Sequence, residues 1–367
     1  MIPTGPGRPF EGTPGEWDAL LERVGGRSSA PWSHPHVLQS SAWGALKARW
    51  GWRVERMAWC DAAGEVAAAQ LLVRRAGVLS IGYASKGPQV AGGADAWRAV
   101  LGDLARWAQS RRLALLKIDA DVPEDADEVR GAWSAAGWRP SDEPIQFPNT
   151  MMSALGDDAA LAAAMTAKGR YNVRLADRRE VRVRHGDARD LDALYELYRA
   201  TAERQGFAIR ARAYYLDAWS TFLGGGNAAL LLAERQGALL AAALPVRFGA
   251  TAWYLYGASA SEGREHMAPY AVLAASLRWA RGAGCTRFDW WGGPTTLCDA
   301  DPLWGVYRFK RQLGAAWRPQ LGAWDLPVDP ARHALSRVLA FARRRWLAAR
   351  RVRRGAQSLA RGEEPLK

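Results

Sequence analysis

Two stretches of the chain, one in each half, repeat the same order of apolar runs, helix and strand, and this constrains the fold more than any other feature of the sequence. The first reads GEVAAAQLLVRRAGVLSIGYAS (residues 64–85), then the helix-like AWRAVLGDLARWAQS, then LALLKIDADV, whose apolar run closes on Asp119. The second reads GALLAAALPVRFGATAWYLYGAS (residues 237–259), then APYAVLAASLRWARGAG, then CTRFDWWG with Asp289 closing its run. In each, two apolar runs joined by a short turn read as paired strands, and apolar residues at spacings of three and four read as a helix. Tyr83 aligns with Tyr256, Trp107 with Trp279 and Asp119 with Asp289, each pair about 170 positions apart. A duplicated α/β unit follows. At 367 residues the chain is long enough for two such units, each with its own core.

A further helical stretch precedes each unit, SSAWGALKARWG in the first half and LDALYELYRATAERQG in the second. Helix, paired strands, helix and strand in that order resemble the mixed sheet of GNAT-type acyltransferases, present twice. The predicted fold class is therefore α/β with mixed α+β sheets, built as two tandem GNAT-like domains. The boundary is placed at the polar, Pro-containing SDEPIQFPNT (residues 141–150), followed by one helix over 157–179. GAWDLPVDP (residues 322–330) reads as a strand and turn returning to the first domain. The predicted domains are residues 1–150 with 322–367, and residues 151–321. An acetyl-CoA loop, Q/R-x-x-G-x-G/A at a helix start, finds one loose match at Arg311, Gly314 and Ala316. Pro319 follows and forbids the helix that such a loop needs. Neither a P-loop nor a dinucleotide glycine motif is present.

Cys60, Cys285 and Cys298 stand far apart in no CxxC spacing, and the five histidines include one close pair, His34 and His36. Neither pattern encodes a disulfide framework or a metal site. Scarce histidine and the lack of a GxSxG turn also count against Ser-His or Cys-His nucleophiles. No run supplies the roughly 18 consecutive apolar residues of a membrane span. The start MIPTGPGRPFEG lacks the features of a secretory signal, so cytoplasmic residence is expected. The formal charge of +13 is concentrated in residues 330–362, which hold ten Arg and no acid. There Leu335, Val338, Leu339, Ala342 and Trp346 recur at helical spacing, giving an amphipathic helix with a dense basic face. Its partner is phosphate-rich RNA or the anionic inner face of a membrane, the latter making the protein peripheral there. A solvated helix docked on its own domain is the competing reading.

Six strings span most of the chain in order: LQSSAWGALKARWGW (38–52), KGRYNVRLADRR (168–179), AERQGFAIRARAYY (202–215), WYLYGAS (253–259), FDWWGGP (288–294) and PLWGVYRFKRQLG (302–314). Together they resemble the FemABX family of non-ribosomal aminoacyltransferases. The resemblance implies twin GNAT-like domains and transfer of Gly, Ala or Ser from aminoacyl-tRNA to the stem-peptide amine of a peptidoglycan precursor, which builds the interpeptide bridge. The acceptor is UDP-MurNAc-pentapeptide or its lipid-linked form. The ester is already activated, so neither cofactor nor metal is expected. Some members insert a tRNA-contacting helical hairpin in the second domain. Residues 168–206 leave room only for a short strand between helices, as in the compact FemX-type members. The alternatives are a transferase of the same superfamily acting on a protein, polysaccharide or lipid, and a non-catalytic scaffold that binds tRNA or anionic lipid.

The resemblance places Phe309 and Lys310 at the tRNA acceptor end, where Lys310 supports the transition state and Phe309 stacks on the terminal adenine. A surface lysine and a core aromatic are the competing readings. Lys47, Arg210, Tyr214 and Tyr256 match family positions that bind the precursor's phosphates and sugar. Lys47 is expected on the polar side of its helix, opposite Trp43. Arg210 and Tyr214, four apart, share a face if helical, and strand alternation puts Tyr254 on the same face as Tyr256. A carboxylate ending a buried strand requires compensation, and Asp119 is expected to orient or deprotonate the attacking amine. A structural salt bridge, or a base supplied by the substrate, competes with that role. Lys86 adds a cation near a phosphate.

Overall fold

The computed structural model describes residues 1–77 and 79–334, so the basic segment that begins near residue 330 lies almost wholly outside the described residues. Two mixed sheets organise those residues. In the first, the antiparallel strands Arg53–Asp61, Gly64–Ala76 and Leu79–Ala84 lead through the helix Ala94–Ser110 to Leu115–Ile118, which runs parallel to Leu79–Ala84. The second repeats this plan with Leu230–Arg235, Ala238–Phe248 and Thr251–Ser259, the helix Ala268–Gly282, and Arg287–Asp289 parallel to Thr251–Ser259. The duplicated GNAT-like unit is therefore present, with one more antiparallel strand per unit than the paired apolar runs suggest. Tight turns enforce the antiparallel pairing. Gln236 and Gly237 adopt φ of 52° and 80°, two consecutive left-handed residues of the kind that reverse a twisted ribbon in two positions.

Each unit then runs through a helix and a short strand, Asp127–Ala135 and Arg139–Pro140 in the first, Trp304–Gln312 and Ala316–Arg318 in the second. The strand that comes next crosses over. Thr150–Ala154 leaves the first unit and inserts into the second sheet between Arg287–Asp289 and Ala316–Arg318. Trp324–Pro327 leaves the second unit and inserts into the first sheet between Leu115–Ile118 and Arg139–Pro140. The two units exchange their last strands. The crossing segments also hold each other, since the Gln320 N–H donates to Asn149 Oδ1 at 3.1 Å and the Asn149 amide donates to the Pro294 carbonyl at 2.9 Å.

Three apolar clusters follow from this arrangement. One joins the first sheet to its helices through Trp97, Trp133 and Trp324, and another joins the second sheet to Leu273 and Leu277. The third is shared, packing Trp17, Trp43 and Leu46 of the first half against Trp219, Phe222 and Trp253 of the second. Polar contacts reinforce it, with Arg49 paired to Asp217 at 2.8 Å and the Trp50 indole donating to the same carboxylate at 2.7 Å. Most of the large buried side chains are tryptophans, so these residues fill cores. No helix among the described residues is long and apolar enough to cross a membrane.

The single helix expected over 157–179 is two, Asp158–Ala164 and Ala167–Arg178. Thr166 breaks it with an extended backbone, and its hydroxyl accepts from the Gly169 N–H at 3.1 Å as an N-cap. Gly169 packs on the helix Trp304–Gln312, where a Cβ would fall 1.9 Å from the Gln312 carbonyl oxygen. Between Ala167–Arg178 and the helix Leu191–Gln205 stand only the strand Arg182–Gly186 and a single 3-10 turn.

The exchanged strand Trp324–Pro327 anchors the first core. Trp324 is buried edge-on to Trp133, with ring centroids 5.4 Å apart. Trp324→Ala is expected to cost about 3–5 kcal/mol, read as a lower urea midpoint with an unchanged slope. A loss under about 1 kcal/mol would show that the strand is not structurally required.

Candidate active site at the interdomain cleft

A cleft of about 770 Å³ opens between the two units. Its walls include His34, His36 and Asp121 from the first half, Thr150 from the strand that the first half donates, and Arg287, Asp289 and Arg318 from the second half. The parallel strand of the second repeat ends at this cleft on Asp289, and that of the first leads through Asp119 to Asp121 in its wall.

Asp119 follows the strand Leu115–Ile118 and is buried. Its Oδ2 accepts from the Tyr83 hydroxyl at 2.5 Å and its Oδ1 from the Lys86 N–H. Burial lifts its pKa, and Lys86 and Tyr83 only partly offset that. Lys86 does not stand free for a phosphate as the sequence suggested. Its ammonium pairs with Asp121 at 2.9 Å and donates to Gln320 Oε1 at 3.3 Å. Burial works against both charges of this pair, yet each partner outweighs it, so Asp121 titrates low and Lys86 high.

His36 lies across the cleft floor with its Nδ1 accepting from the Leu38 N–H at 3.0 Å. Its Nε2 is 3.9 Å from Asp121 Oδ2 and has no hydrogen-bond partner. Burial holds its pKa down at about 3, so the ring is neutral with its proton on Nε2. Asp289 Oδ1 accepts from the Thr150 hydroxyl at 2.5 Å and the Trp291 N–H at 2.7 Å. Burial, reinforced by Asp121, raises Asp289 to about 6.

Trp291 and Gly292 follow with φ of 54° and 58°, and this turn aims their carbonyls at Lys310. The Lys310 ammonium donates to both, at 2.7 Å for Gly292. Burial lowers Lys310 to about 7, against the pull of Asp289. Phe309, next to it on the helix Trp304–Gln312, faces elsewhere. It meets Tyr270 edge-on at 5.0 Å and lines a separate cavity of about 200 Å³, so the two neighbours do not share one space.

The second group assembles across the units. Lys47 is buried, donates to the Tyr214 hydroxyl at 2.7 Å and sits 4.2 Å over the Trp43 ring. The expected polar, opposite placement is thus corrected, because positions four apart on a helix share a face. Arg210 precedes the helix Arg212–Gly224 rather than lying in it, yet its guanidinium stacks 4.7 Å over Tyr214. Among the described residues neither cation has an ion-pair partner. Burial, with Arg210 and Arg74 nearby, lowers Lys47 to about 7. Tyr256 joins through Tyr215, 6.1 Å away. Tyr254 packs in the opposite cluster, because the register slips between Leu244 and Pro245 and leaves Leu255 as an extra residue that reverses the alternation.

Sequence reasoning assigned no role to Asp121, Asp289, Thr150, Arg287 or the two histidines. Two signals were available, the repeat that pairs Asp289 with Asp119 and the DAD spacing that sets Asp121 beside it.

Two GNAT-like units with exchanged strands, meeting at a cleft walled by Asp121 and the buried Asp289, define a tandem acyltransferase-type enzyme. The model of the FemAB family matches residues 28–139, 143–237 and 233–340, and the chain belongs to that family. It is a transferase. It is 25% identical to a lipid II:glycine glycyltransferase of Staphylococcus aureus (strain USA300) over 380 residues, covering 81% of this chain and 90% of that protein. Among solved structures, the crystal structure of FemX superposes with a TM-score of 0.77 at 22% identity, covering 87% of this chain and 97% of that one. A tandem GNAT protein from the clavulanic acid biosynthesis pathway gives 0.54 at 15% identity, covering 88% and 98%. Both likenesses concern the fold.

The chain has few lysines, so their ammonium groups can be assigned by nitrogen NMR on lysine-labelled protein. Lys47 and Lys310 are expected to titrate near pH 7 and to vanish individually in Lys47→Met and Lys310→Met, while Lys86 stays charged throughout. A midpoint above 10 for either of the first two would mean that it is solvated.

Proposed function

We propose that the protein transfers a small amino acid, glycine, alanine or serine, from aminoacyl-tRNA to the stem-peptide amine of a peptidoglycan precursor, extending the interpeptide bridge. The observation that carries this reading is the pairing of two features in a FemAB-family chain. One is the cation cluster Lys47 and Arg210, without ion-pair partners among the described residues and suited to a diphosphate. The other is the buried Lys310 beside the cleft carboxylates. Ester aminolysis needs no activation beyond the ester itself. The protein has to orient two polyanions, exclude water and stabilise the developing oxyanion. Lys310 is suited to the last task, held by two carbonyls with one N–H left over. Lys47, Arg210 and Tyr214, with Tyr256 behind them, hold the precursor's phosphates and sugar.

The donor is a polyanion too, and the exposed Lys168, Arg174 and Arg178 on one helix lie near the exposed Arg308 and Arg311 on the helix that carries Lys310. The relative's name points to a lipid-linked acceptor. Asp119, with both oxygens occupied, orients the Lys86 loop, and Phe309 supports the helix of Lys310 through Tyr270.

Mass spectrometry of UDP-MurNAc-pentapeptide and of its lipid-linked form, each incubated with the protein and tRNA charged with glycine, alanine or serine, tests the reading. A mass gain of one or more residues that depends on charged tRNA is expected. No gain with folded protein and verified substrates would remove it. Lys310→Ala is expected to cut the single-turnover rate by about 10²–10³ while precursor binding stays within about twofold. An unchanged rate would take Lys310 out of the chemistry.

A further inference from the structure

The two repeats end their parallel strands on equivalent aspartates, and the fold treats them in opposite ways. Asp119 has both oxygens engaged, by Tyr83 and by the Lys86 N–H, and it lines neither the 770 Å³ cleft nor the narrow space beside it. Asp289 spends only Oδ1, on Thr150 and Trp291. Among the described residues Oδ2 takes no hydrogen bond, and Asp289 forms part of the wall of the 770 Å³ cleft and of the narrow space between His36, Lys86 and Gly292. Of the other bases along the cleft, Glu124 and Asp125 are exposed to solvent, His34 lies 3.2 Å from the Arg287 guanidinium, and the inner two are engaged. Asp121 is paired with Lys86, and neutral His36 has its one acceptor nitrogen occupied by Leu38. Lys310 stands on the far side of the Trp291–Gly292 turn, so a reacting carbonyl near that turn has a carboxylate on one side and an ammonium on the other.

We propose that Asp289, and not its repeat mate Asp119, is the catalytic residue that accepts the proton of the attacking amine. This rests on the aminoacyltransferase reading above. As the neutral amine nitrogen bonds to the ester carbonyl carbon, its proton passes to the Asp289 carboxylate. The ester C–O bond then breaks, and the carboxyl returns that proton to the departing ribose oxygen. The products are the new amide and a free tRNA hydroxyl, with the carboxylate restored.

The charged and titratable groups facing Asp289 or sharing its cleft are Lys86, Asp121, His34, His36, Glu124 and Asp125 from the first half, Lys310 from its helix, and Arg287 and Arg318 along the cleft. Burial and Asp121 dominate, so its pKa of about 6 leaves it ionised at neutral pH and still basic enough to take a proton.

Single-turnover transfer across pH 5–9, with the charged tRNA and precursor that give wild-type turnover, tests this. Wild type is expected to lose rate below about pH 6 as Asp289 protonates. Asp289→Asn, nearly isosteric, is expected to lower the rate by about 10²–10⁴ and to abolish that acid limb, with precursor affinity within about twofold. Thr150→Val removes one donor that stabilises the carboxylate and is expected to move the limb to higher pH, which keeps the test open if Asp289→Asn fails to fold. Asp289→Asn with a rate within threefold of wild type, or an acid limb that Thr150→Val leaves in place, would overturn the assignment. Wild-type protein that transfers nothing would instead overturn the aminoacyltransferase reading, and this inference with it.

Discussion

The reciprocal exchange of strands between the two units is the constraint on which the rest of the structure depends. Thr150–Ala154 completes a sheet whose other members follow it in sequence, and Trp324–Pro327 completes one whose other members precede it. Neither unit can finish its sheet alone. The exchange also builds the site. Thr150, on a strand donated by the first half, holds the Asp289 carboxylate of the second, and Ser153 on the same strand accepts from the Trp290 indole at 2.8 Å. The carboxylate that faces the cleft is therefore set by the same register that locks the units together.

Burying charge in such a place is costly, and the chain offsets the cost unevenly. At Lys86 and Asp121 the pair compensates itself and both stay ionised. At Lys47, Lys310 and Asp289 compensation is incomplete, and each is displaced toward its neutral form. Displacement of this kind suits Asp289 to carry a proton near neutral pH, and at Lys47 and Lys310 a bound anion would supply the missing compensation and restore the ammonium charge. The structural pairs and the chemical groups thus separate by how fully each is compensated.

Much of the architecture was legible in the sequence because it is periodic. The repeat, its helices and its closing aspartates follow from local spacing. The strand exchange was less so, since TMMSA carries no mark of which sheet it joins and consecutive elements are ordinarily neighbours. Within the site, Lys47 was set on the wrong side because a lysine four residues from a tryptophan is ordinarily solvated, whereas here the shared core closes over it. Tyr254 and Tyr256 were set on one face because a bulge depends on the partner strand. Asp289 was visible as the mate of Asp119. Its place in the cleft wall was not, because that depends on how the two units meet.

The central claim is that one cleft between interlocked units brings a diphosphate-bearing amine and an aminoacyl ester together at Asp289 and Lys310. A structure of the protein with a bisubstrate analogue, joining the precursor's amine through a stable amide to the aminoacylated 3′ end of an RNA, tests it most directly. The account requires the analogue's amide nitrogen at about 3 Å from Asp289, with the diphosphate on Lys47 and Arg210. An analogue whose amide lies outside the cleft, with Asp289 still bound only to Thr150 and Trp291, would contradict it.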